Sequence, residues 1–512
     1  NRTEHGTLAL RAARESMVLL KNDGLLPLDT RRVRHVLVVG PNATSEPALV
    51  GNYNGVPYDP VTVLEGLKAA LEPAGVEVSY AHGTDYATRP TEARTIVSGW
   101  FHGSYFDNPD LEGEPAARRT ERPLSFDLGS RQRFAGLPRG VPDEGMSALW
   151  TGGLTTTLGG DYELVVRGRG GFRLIIDGES VIDSWTPPAG REGEMREVRV
   201  THPLPDNATL PLRLEYTQGD GPMAVSVEWK TPPADAGLDE AVAAAREADL
   251  IVYVGGISGQ LEGEAMPVDY DGFVGGDRES IELPALQQRL LDELHATGRP
   301  IVMVNMSGSA MALPWAGANL GAILQAWYPG QAGGSAVADA LVGRYNPAGR
   351  LPVTFYRSTD QLPPFEDYDM DGRTYRYFDG DVLYPFGHGL SYTTFDYANL
   401  RTSAAALPAN GSITVSVDVT NTGDRAGDEV VQLYTAHPHS AVDRPLEELK
   451  GFQRITLEPG ETRTVTFSLD ASELAYRDTE HDRWVVEEAP VEVLVGASSA
   501  DIRQRATVDV VH

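Results

Sequence analysis

Short apolar runs recur along this chain and alternate with segments of helical patterning. Val36–Val39 and Ile251–Val254 carry no charged residue, and Pro300–Asn305 and Ala322–Ala326 read as further strands. An apolar run without alternation is typical of a strand whose two faces are both covered, as in a parallel sheet flanked by helices. The chain is therefore predicted to be organised around a parallel α/β sheet with helices on its faces.

Helical spacing of apolar residues predicts the covering helices. The predicted segments are Leu8–Leu20, Val63–Leu71, Leu238–Ala248, Leu286–Leu294 and Gly333–Val342. Most of them come before or after a predicted strand, which is the order that builds a β–α–β unit. Gly372–Tyr377, near the end of this α/β region, is predicted to be extended.

Two stretches depart from this alternation. From Trp100 to Trp229 the chain shows short strands of period two, Gly-rich turns and aromatic residues, with almost no helical periodicity. Such a pattern predicts an all-β module inserted at a surface loop of the α/β domain. From about Tyr397, strands at short intervals with Gly, Pro and Asn turns predict a second, immunoglobulin-like sandwich.

Length and composition limit the number of domains and the classes of partner and chemistry that are expected. The 512 residues exceed what one hydrophobic core holds, so about three domains are expected. The net charge of −30 argues against nucleic acid and anionic membrane surfaces as partners, because like charges repel. The absence of cysteine excludes disulfides and thiolate chemistry, and no apolar run approaches transmembrane length.

An acidic, glycine-punctuated loop follows the strand Ile251–Val254. It carries Glu262 and Glu264 on either side of Gly263, at the carboxyl end of a strand, where open α/β sheets place their ligand sites. Either carboxyl is a candidate general acid, and two solvated glutamates in a very acidic chain are the alternative. Asp277-Arg278, further along the loop, could contact a substrate or form an ion pair that holds the loop in place.

Several motifs resemble one known family. The chain resembles the C-terminal part of family 3 glycoside hydrolases, the β-glucosidase and β-xylosidase family. The last module resembles the fibronectin-III-like domain that follows in that family, and the insert resembles a PA14 domain. The matching segments are Ala9–Pro27, Val36–Asn42, Trp327–Gly334, Ala338–Phe355 and Leu383–Tyr392, with Ala148–Gly152, Gly160–Leu164 and Leu174–Trp185 in the insert.

The resemblance implies retaining glycoside hydrolysis by two carboxylates. In the family an aspartate on a preceding (β/α)8 barrel is the nucleophile, and a glutamate on a loop of the α/β domain is the general acid/base. The nearest motif match places the acid/base at Glu264, with Glu262 as the second choice. No cofactor and no metal are implied, because this chemistry needs only the two carboxylates.

The family pattern is incomplete here. No stretch has the eightfold βα alternation of the barrel, and Asn1–Leu20 matches the segment that comes after the barrel in the family. The chain is therefore interpreted as a fragment that does not turn over substrate alone. Its expected partners are an oligosaccharide or glycoside substrate and the missing barrel, in cis or in another chain.

Two functions remain open on the sequence alone. The first is the acid/base-bearing portion of an exo-β-glycosidase that releases terminal β-linked glucose or xylose, which the sequence does not separate. The second is a non-catalytic carbohydrate-binding or scaffolding protein that lacks the barrel. Trp100, Phe101 and Tyr105 of the insert could stack on sugar rings or pack in a core. The sequence leaves localisation unknown.

The domain division expected from the sequence has four parts. Residues 1–84 and 236–396 form the two parts of an α/β sandwich, residues 85–235 form the PA14-like β insert, and residues 397–512 form the fibronectin-III-like β-sandwich.

Overall fold

The structure is a computed structural model that describes residues 2–88, 95–97, 100–121, 123–127, 136–265 and 268–511. The chain separates into two compact units. One comprises Asn1–Ala87 together with Asp239–His512, and the other comprises Thr88–Leu238. The second unit is therefore inserted in sequence between two parts of the first.

The first part of the chain supplies the beginning of an α/β domain. Its helices and strands are α1 (Thr3–Ser16), β1 (Val18–Asn22), β2 (His35–Val39), α2 (Val63–Leu71) and β3 (Glu77–Ala81). Short 3-10 turns cover Pro47–Leu49 and Glu72–Ala74. Helix α2 starts at a capping box, in which the Thr62 side chain accepts from the backbone N–H of Glu65 and the Glu65 carboxylate accepts from that of Thr62.

The inserted unit is built from strands. They are β4 (Thr95–Ile96), β5 (Phe101–Phe106), β6 (Ala117–Glu121), β7 (Ser125–Asp127), β8 (Ser147–Thr155), β9 (Gly160–Gly168), β10 (Gly171–Ile176), β11 (Glu179–Ser184), β12 (Arg196–Leu204), β13 (Thr209–Thr217) and β14 (Ala224–Lys230). One sheet has the order β11-β10-β13-β8-β5-β6, and the other has β12-β9-β14-β4 with β7 also paired to β14.

The core of the inserted unit is aromatic. Trp150 stacks on Phe126 with 4.5 Å between ring centroids. Phe101 and Tyr105 are fully buried in this core, so packing, rather than sugar stacking, accounts for them. Trp100 is 65% exposed, so core packing does not account for it in the same way.

The α/β domain resumes after the insert. Its elements are α3 (Leu238–Glu247), β15 (Leu250–Gly256), β16 (Asp269–Tyr270), β17 (Phe273–Val274), β18 (Asp277–Arg278), α4 (Ala285–His295), β19 (Ile301–Met306), α5 (Pro314–Asn319), β20 (Ala322–Gln325), α6 (Gly333–Leu341) and α7 (Thr374–Tyr377), with a 3-10 turn at Thr359–Gln361.

The central sheet has the order β1-β20-β19-β15-β2-β3. All neighbours in it are parallel except the pair of β1 with β20, which is antiparallel. Every residue of β15 and β19 is buried, as expected for strands with both faces covered. The parallel α/β sheet predicted from the apolar runs is therefore present.

Two local predictions were wrong. The helix predicted over Leu8–Leu20 ends at Ser16, and Val18–Asn22 instead forms the edge strand β1 beside β20. Met17 to Leu20 are buried, so tertiary strand pairing outweighs the helical spacing of these residues. Gly372–Tyr377 was expected to be extended, but Thr374–Tyr377 forms the single helical turn α7.

The last part of the chain forms a two-sheet β-sandwich. Its strands are β21 (Phe395–Thr402), β22 (Ala406–Pro408), β23 (Ser412–Asn421), β24 (Gly427–Ala436), β25 (Glu448–Leu457), β26 (Thr462–Asp470), β27 (Tyr476–Asp478), β28 (Arg483–Val485), β29 (Pro490–Ser498) and β30 (Asp501–Val511), with a 3-10 turn at Ala471–Leu474. The sheets are β21-β23-β26 and β22-β30-β29-β24-β25, and β27 pairs with β28.

A buried ion pair joins this sandwich to the α/β domain. Nη2 of Arg350, in the segment after α6, lies 2.7 Å from Oε1 of Glu429 in β24. The side chains are 9% and 6% exposed. Removal of one partner leaves the other charge buried and uncompensated, which costs far more than an exposed pair.

We predict that Glu429→Gln lowers the free energy of unfolding by about 3 kcal/mol, because the Arg350 guanidinium loses its counter-charge. The control is Asp482→Asn, at an exposed ion pair with Arg477, with an expected loss of less than about 1 kcal/mol. Urea denaturation of both variants measures the difference. Equal losses in the two variants would show that the buried ion pair contributes no more to the free energy of unfolding than the exposed one.

Candidate functional site

The acidic loop leaves the sheet at a point where only glycine fits. Gly256, the last residue of β15, has φ +117°, and a Cβ there would lie 2.2 Å from the carbonyl oxygen of Met306 in β19. The loop therefore begins at the carboxyl edge of the central sheet, against the end of the neighbouring strand. This is the edge at which open α/β sheets bind ligands.

A buried amide supports the start of the loop. Oε1 of Gln287 in α4 accepts from the hydroxyl of Tyr253 at 2.7 Å and from the backbone N–H of Gly256 at 2.9 Å. Its Nε2 donates to the carbonyl oxygens of Gly256 at 2.7 Å and Tyr86 at 2.9 Å. All four hydrogen-bonding positions of the amide are used, so the base of the loop is rigidly held.

Glu262 is anchored by three donors. The hydroxyl of Tyr328 and the backbone N–H of Gly308, at 3.0 Å, both donate to its Oε1. The hydroxyl of Ser309 donates to Oε2 at 3.4 Å. Burial and the Glu262 carboxylate raise the pKa of Tyr328, so its phenol stays protonated and remains a donor. This half-buried carboxylate therefore ties the acidic loop to the segments after β19 and β20.

The far end of the loop closes against its beginning. Gly276 has φ +97°, and a Cβ there would lie 1.7 Å from the carbonyl oxygen of Gly263. The backbone between Glu262 and Glu264 thus packs directly on the turn that precedes β18. This close approach fixes the position at which both carboxyls leave the backbone.

Glu264 has a different environment from Glu262. Its side chain is exposed, and its Oε2 accepts a hydrogen bond from the hydroxyl of Tyr53. Tyr53 belongs to the loop between β2 and α2. The two candidate glutamates, two residues apart in sequence, are therefore held by different parts of the fold.

Arg278 places a positive charge near Glu262. Its Nη2 donates to the carbonyl oxygen of Ala310 at 2.8 Å, so it holds the loop through the backbone, while Asp277 beside it is exposed. Burial lowers the pKa of Arg278, and the carboxylate of Glu262 opposes this most strongly. Within the described residues its Nη1 is a buried atom with no hydrogen-bond partner.

Arg278 also lines an open cavity of about 590 Å³. The segment after the 3-10 turn Thr359–Gln361 forms the other side of this cavity, and it presents Phe365 and Tyr368 to solvent. These aromatic side chains are 89% and 88% exposed. Contiguous exposed apolar surface is a common feature of interaction surfaces.

His388, in the family-like segment Leu383–Tyr392, has structural surroundings. It is partly buried, stacks on Tyr384 and has Nε2 2.9 Å from the carbonyl oxygen of Leu20, which are contacts of a structural histidine. Among the described residues, no group of three or more His, Asp or Glu side chains is arranged to hold a metal ion. No helix in that part of the chain is long and apolar enough to cross a membrane.

Sequence reasoning did not identify Tyr53 or Tyr328 as parts of the site. Tyr328 lies in a segment, Trp327–Gly334, whose only signal in the sequence is its resemblance to the family. Neither tyrosine is near Glu262 or Glu264 in sequence, and spacing alone could not connect them. The arrangement can supply one anchored carboxylate and one exposed carboxyl, and the exposed carboxyl is free to exchange a proton with a ligand at the edge of the sheet.

Comparison with family models gives two matches. Residues 17–392 match the model described as the glycosyl hydrolase family 3 C-terminal domain. Residues 429–499 match the fibronectin type III-like domain. The first match extends from residues before the inserted unit to residues after it.

Named relatives agree with these matches. A xylan 1,4-β-xylosidase from Xylanibacter ruminicola is 35% identical over 96% of this chain and 56% of its own length. A β-glucosidase from Rhizobium radiobacter is 33% identical over 99% of this chain and 62% of its own length. The chain thus spans about three fifths of the length of these relatives.

A solved structure is also similar to this chain over its whole length while extending beyond it. The crystal structure of a β-glucosidase from Kluyveromyces marxianus in complex with glucose superposes with a TM-score of 0.70 at 28% identity. The match covers 100% of this chain and 62% of that chain.

We predict that Gly276→Ala destabilises the acidic loop far more than Gly275→Ala does. Both glycines have positive φ, but a Cβ at Gly275 meets nothing within 4 Å, whereas one at Gly276 collides with the Gly263 carbonyl. The left-handed backbone costs about 1 kcal/mol in either variant, and the collision adds about 1–3 kcal/mol at Gly276.

Urea denaturation gives the free energies of unfolding, and hydrogen exchange at the Gly308 amide reports the anchor to Glu262. Faster exchange in Gly276→Ala alone is the expected result. Equal stability and equal exchange in the two variants would contradict the packing of Gly276 on Gly263.

Proposed function

The chain belongs to glycosyl hydrolase family 3, and from this premise we propose that it is the acid/base-bearing portion of a retaining exo-β-glycosidase. Its substrates are glycosides with a terminal β-linked glucose or xylose, which are the sugars that the names of its relatives point to. The general acid/base is Glu264, on the loop after β15.

The contrast between the two glutamates carries this proposal. Glu262 accepts hydrogen bonds from three donors, a pattern that suits a carboxylate held in place. Glu264 is exposed, accepts from one phenol, and lies on the same rigid turn. A group that must give up and take back a proton needs access to the substrate, so Glu264 fits the catalytic role and Glu262 the anchoring role.

The proposed reaction has two steps. A nucleophilic aspartate attacks the anomeric carbon while protonated Glu264 donates its proton to the leaving glycosidic oxygen, which gives a covalent glycosyl-enzyme. Glu264, now a carboxylate, then takes a proton from the water that attacks the anomeric carbon, and the aspartate leaves. Neither step requires a metal or an organic cofactor.

The nucleophile lies on a (β/α)8 barrel that is absent from this chain, in cis or in another chain. Two observations support this partner. The relatives are longer than this chain by about two fifths of their own length. The cavity beside Arg278 presents Phe365 and Tyr368, which a packed neighbouring domain would cover.

The domain roles follow from this assignment. The division into residues 1–84 and 236–396 for the α/β sandwich, 85–235 for the insert and 397–512 for the C-terminal sandwich is part of the proposal. The insert is proposed to be a PA14-like module that shapes the aglycone side of the pocket, and Trp100 is its exposed aromatic residue. Glucose and xylose specificity would reside mainly in the barrel.

We predict that Glu264→Ala lowers hydrolysis of aryl β-glucosides and aryl β-xylosides by the parent protein with its upstream region. The expected loss is about 10²- to 10⁴-fold, the usual contribution of general acid/base catalysis. The loss is smallest for highly acidic phenol leaving groups, which need no protonation. Azide, which attacks the glycosyl-enzyme without base assistance, restores turnover and releases a β-glycosyl azide.

Glu480→Ala, at an exposed glutamate of the C-terminal sandwich, is the matched control and keeps full activity. Glu262→Ala loses activity without azide rescue, because it releases the loop rather than removing the proton donor. Full activity in Glu264→Ala would contradict the assignment of the acid/base. A parent protein with no barrel and no turnover would instead favour a non-catalytic carbohydrate-binding or scaffolding protein.

A further inference from the structure

We propose that Tyr53 is a positioning residue that holds the side chain of Glu264 in its working orientation. The inference rests on the proposed function, since it assigns Tyr53 its role through the acid/base carboxyl. The hydroxyl of Tyr53 donates to Oε2 of Glu264, one of the two oxygens of the carboxyl.

The backbone on both sides of this contact is in the left-handed region. Tyr53 has φ 57°, and Ala265, directly after Glu264, has φ 50°. Neither residue type adopts this conformation readily. Tyr53 also leaves its ring 83% exposed. Burial of the ring therefore does not explain this conformation, and the contact that the Tyr53 side chain does make is its hydrogen bond to Glu264.

One segment of the fold connects the two loops that meet here. The backbone N–H of Gly330 donates to the carbonyl oxygen of Leu49 at 2.7 Å, and the N–H of Val61 donates to that of Gln331 at 2.8 Å. Both ends of the Tyr53 loop are thus tied to the turn that follows Tyr328. Tyr328 in turn donates to Glu262. The segment from Trp327 to Gln331 therefore fixes the Tyr53 loop and the acidic loop together.

The two loops also approach each other directly. A Cβ on Gly259, near the start of the acidic loop, would lie 3.2 Å from the carbonyl carbon of Gly51 and 3.3 Å from the backbone nitrogen of Asn52. This close backbone approach brings Tyr53 within reach of Glu264. Because backbone packing fixes the base of each loop, the side chains of Tyr53 and Glu264 approach each other from fixed backbone positions.

A glutamate on an exposed loop samples several rotamers unless something selects one. A phenol donor selects the rotamer in which Oε2 faces Tyr53, and this reduces the ordering that substrate binding must supply. The carboxylate raises the pKa of Tyr53, so the phenol remains protonated and the donor persists. Tyr53 itself transfers no proton in this scheme.

The kinetic test uses the parent protein with its upstream region. Tyr53→Phe keeps the ring and removes only the donor, and we expect kcat/KM for aryl β-glycosides with weakly acidic phenols to fall about tenfold. That loss is a fraction of what general acid catalysis contributes. For highly acidic phenol leaving groups the loss disappears, because their departure needs no protonation. An equal loss for both classes would indicate a merely structural role and overturn the inference.

A double-mutant cycle separates this inference from the function on which it rests. If Tyr53 acts through Glu264, Tyr53→Phe changes kcat/KM less than about twofold in a Glu264→Gln background. Tyr58→Phe is the matched control, because it removes a hydroxyl from the same exposed loop. If Tyr53→Phe has normal activity while Glu264→Gln loses activity, only the positioning role of Tyr53 is contradicted. Full activity in Glu264→Gln contradicts both.

A second test needs only the 512-residue chain. The tyrosines are titrated by their ultraviolet absorbance, and the curve of the Tyr53→Phe variant is subtracted from that of the unchanged chain. The difference is the titration of Tyr53, and we expect its pKa to lie above the ordinary tyrosine value. Glu264→Gln removes the negative charge and leaves only a neutral amide oxygen as acceptor, so the isolated titration shifts to lower pH. Glu480→Gln, at an exposed glutamate of the C-terminal sandwich, serves as the control and leaves the titration in place. An unchanged titration in Glu264→Gln would show that the two side chains do not interact in solution and would overturn the inference.

Discussion

The carboxyl edge of the central sheet has no space for side chains at two strand ends. A Cβ at Gly40, after β2, would lie 2.3 Å from the carbonyl oxygen of Val254, and one at Gly256 would lie 2.2 Å from that of Met306. Three neighbouring strands therefore meet backbone to backbone at the point where their loops begin. Because each loop leaves from a fixed position, the side chains that the loops carry can meet reproducibly.

From this edge the fold separates two similar carboxyls into different environments. Glu262 turns inward to Tyr328 and Gly308 and becomes part of the scaffold, whereas Glu264 turns outward to Tyr53. The carbonyl oxygen of the glycine between them packs on Gly276, where a Cβ would have no space, so the backbone that carries the two carboxyls is held in one place. A difference in partners, rather than in residue type, thus distinguishes the anchor from the proposed acid/base.

The sequence was a good guide to the strands with both faces buried and to the helices that cover them. Ile251–Val254 lies within β15, and the helix expected over Leu286–Leu294 spans Ala285–His295. Prediction failed where an apolar run admits two structures. Val18–Leu20 continues the helical spacing of α1, yet it pairs with β20, because the exposed edge of the sheet gains more from a strand there.

By itself the sequence determined the α/β architecture, the all-β insert, the C-terminal sandwich and the loop with the candidate carboxyls, since these depend on local periodicity and glycine placement. Residue type and spacing did not distinguish Glu262 from Glu264, because both are glutamates beside one glycine, and only the family resemblance placed Glu264 first. Only the tertiary structure brings Tyr53 to Glu264 and Tyr328 to Glu262, across separations of 211 and 66 residues. Such contacts are set by which strands are neighbours in the sheet, and no pattern within the loop encodes that order.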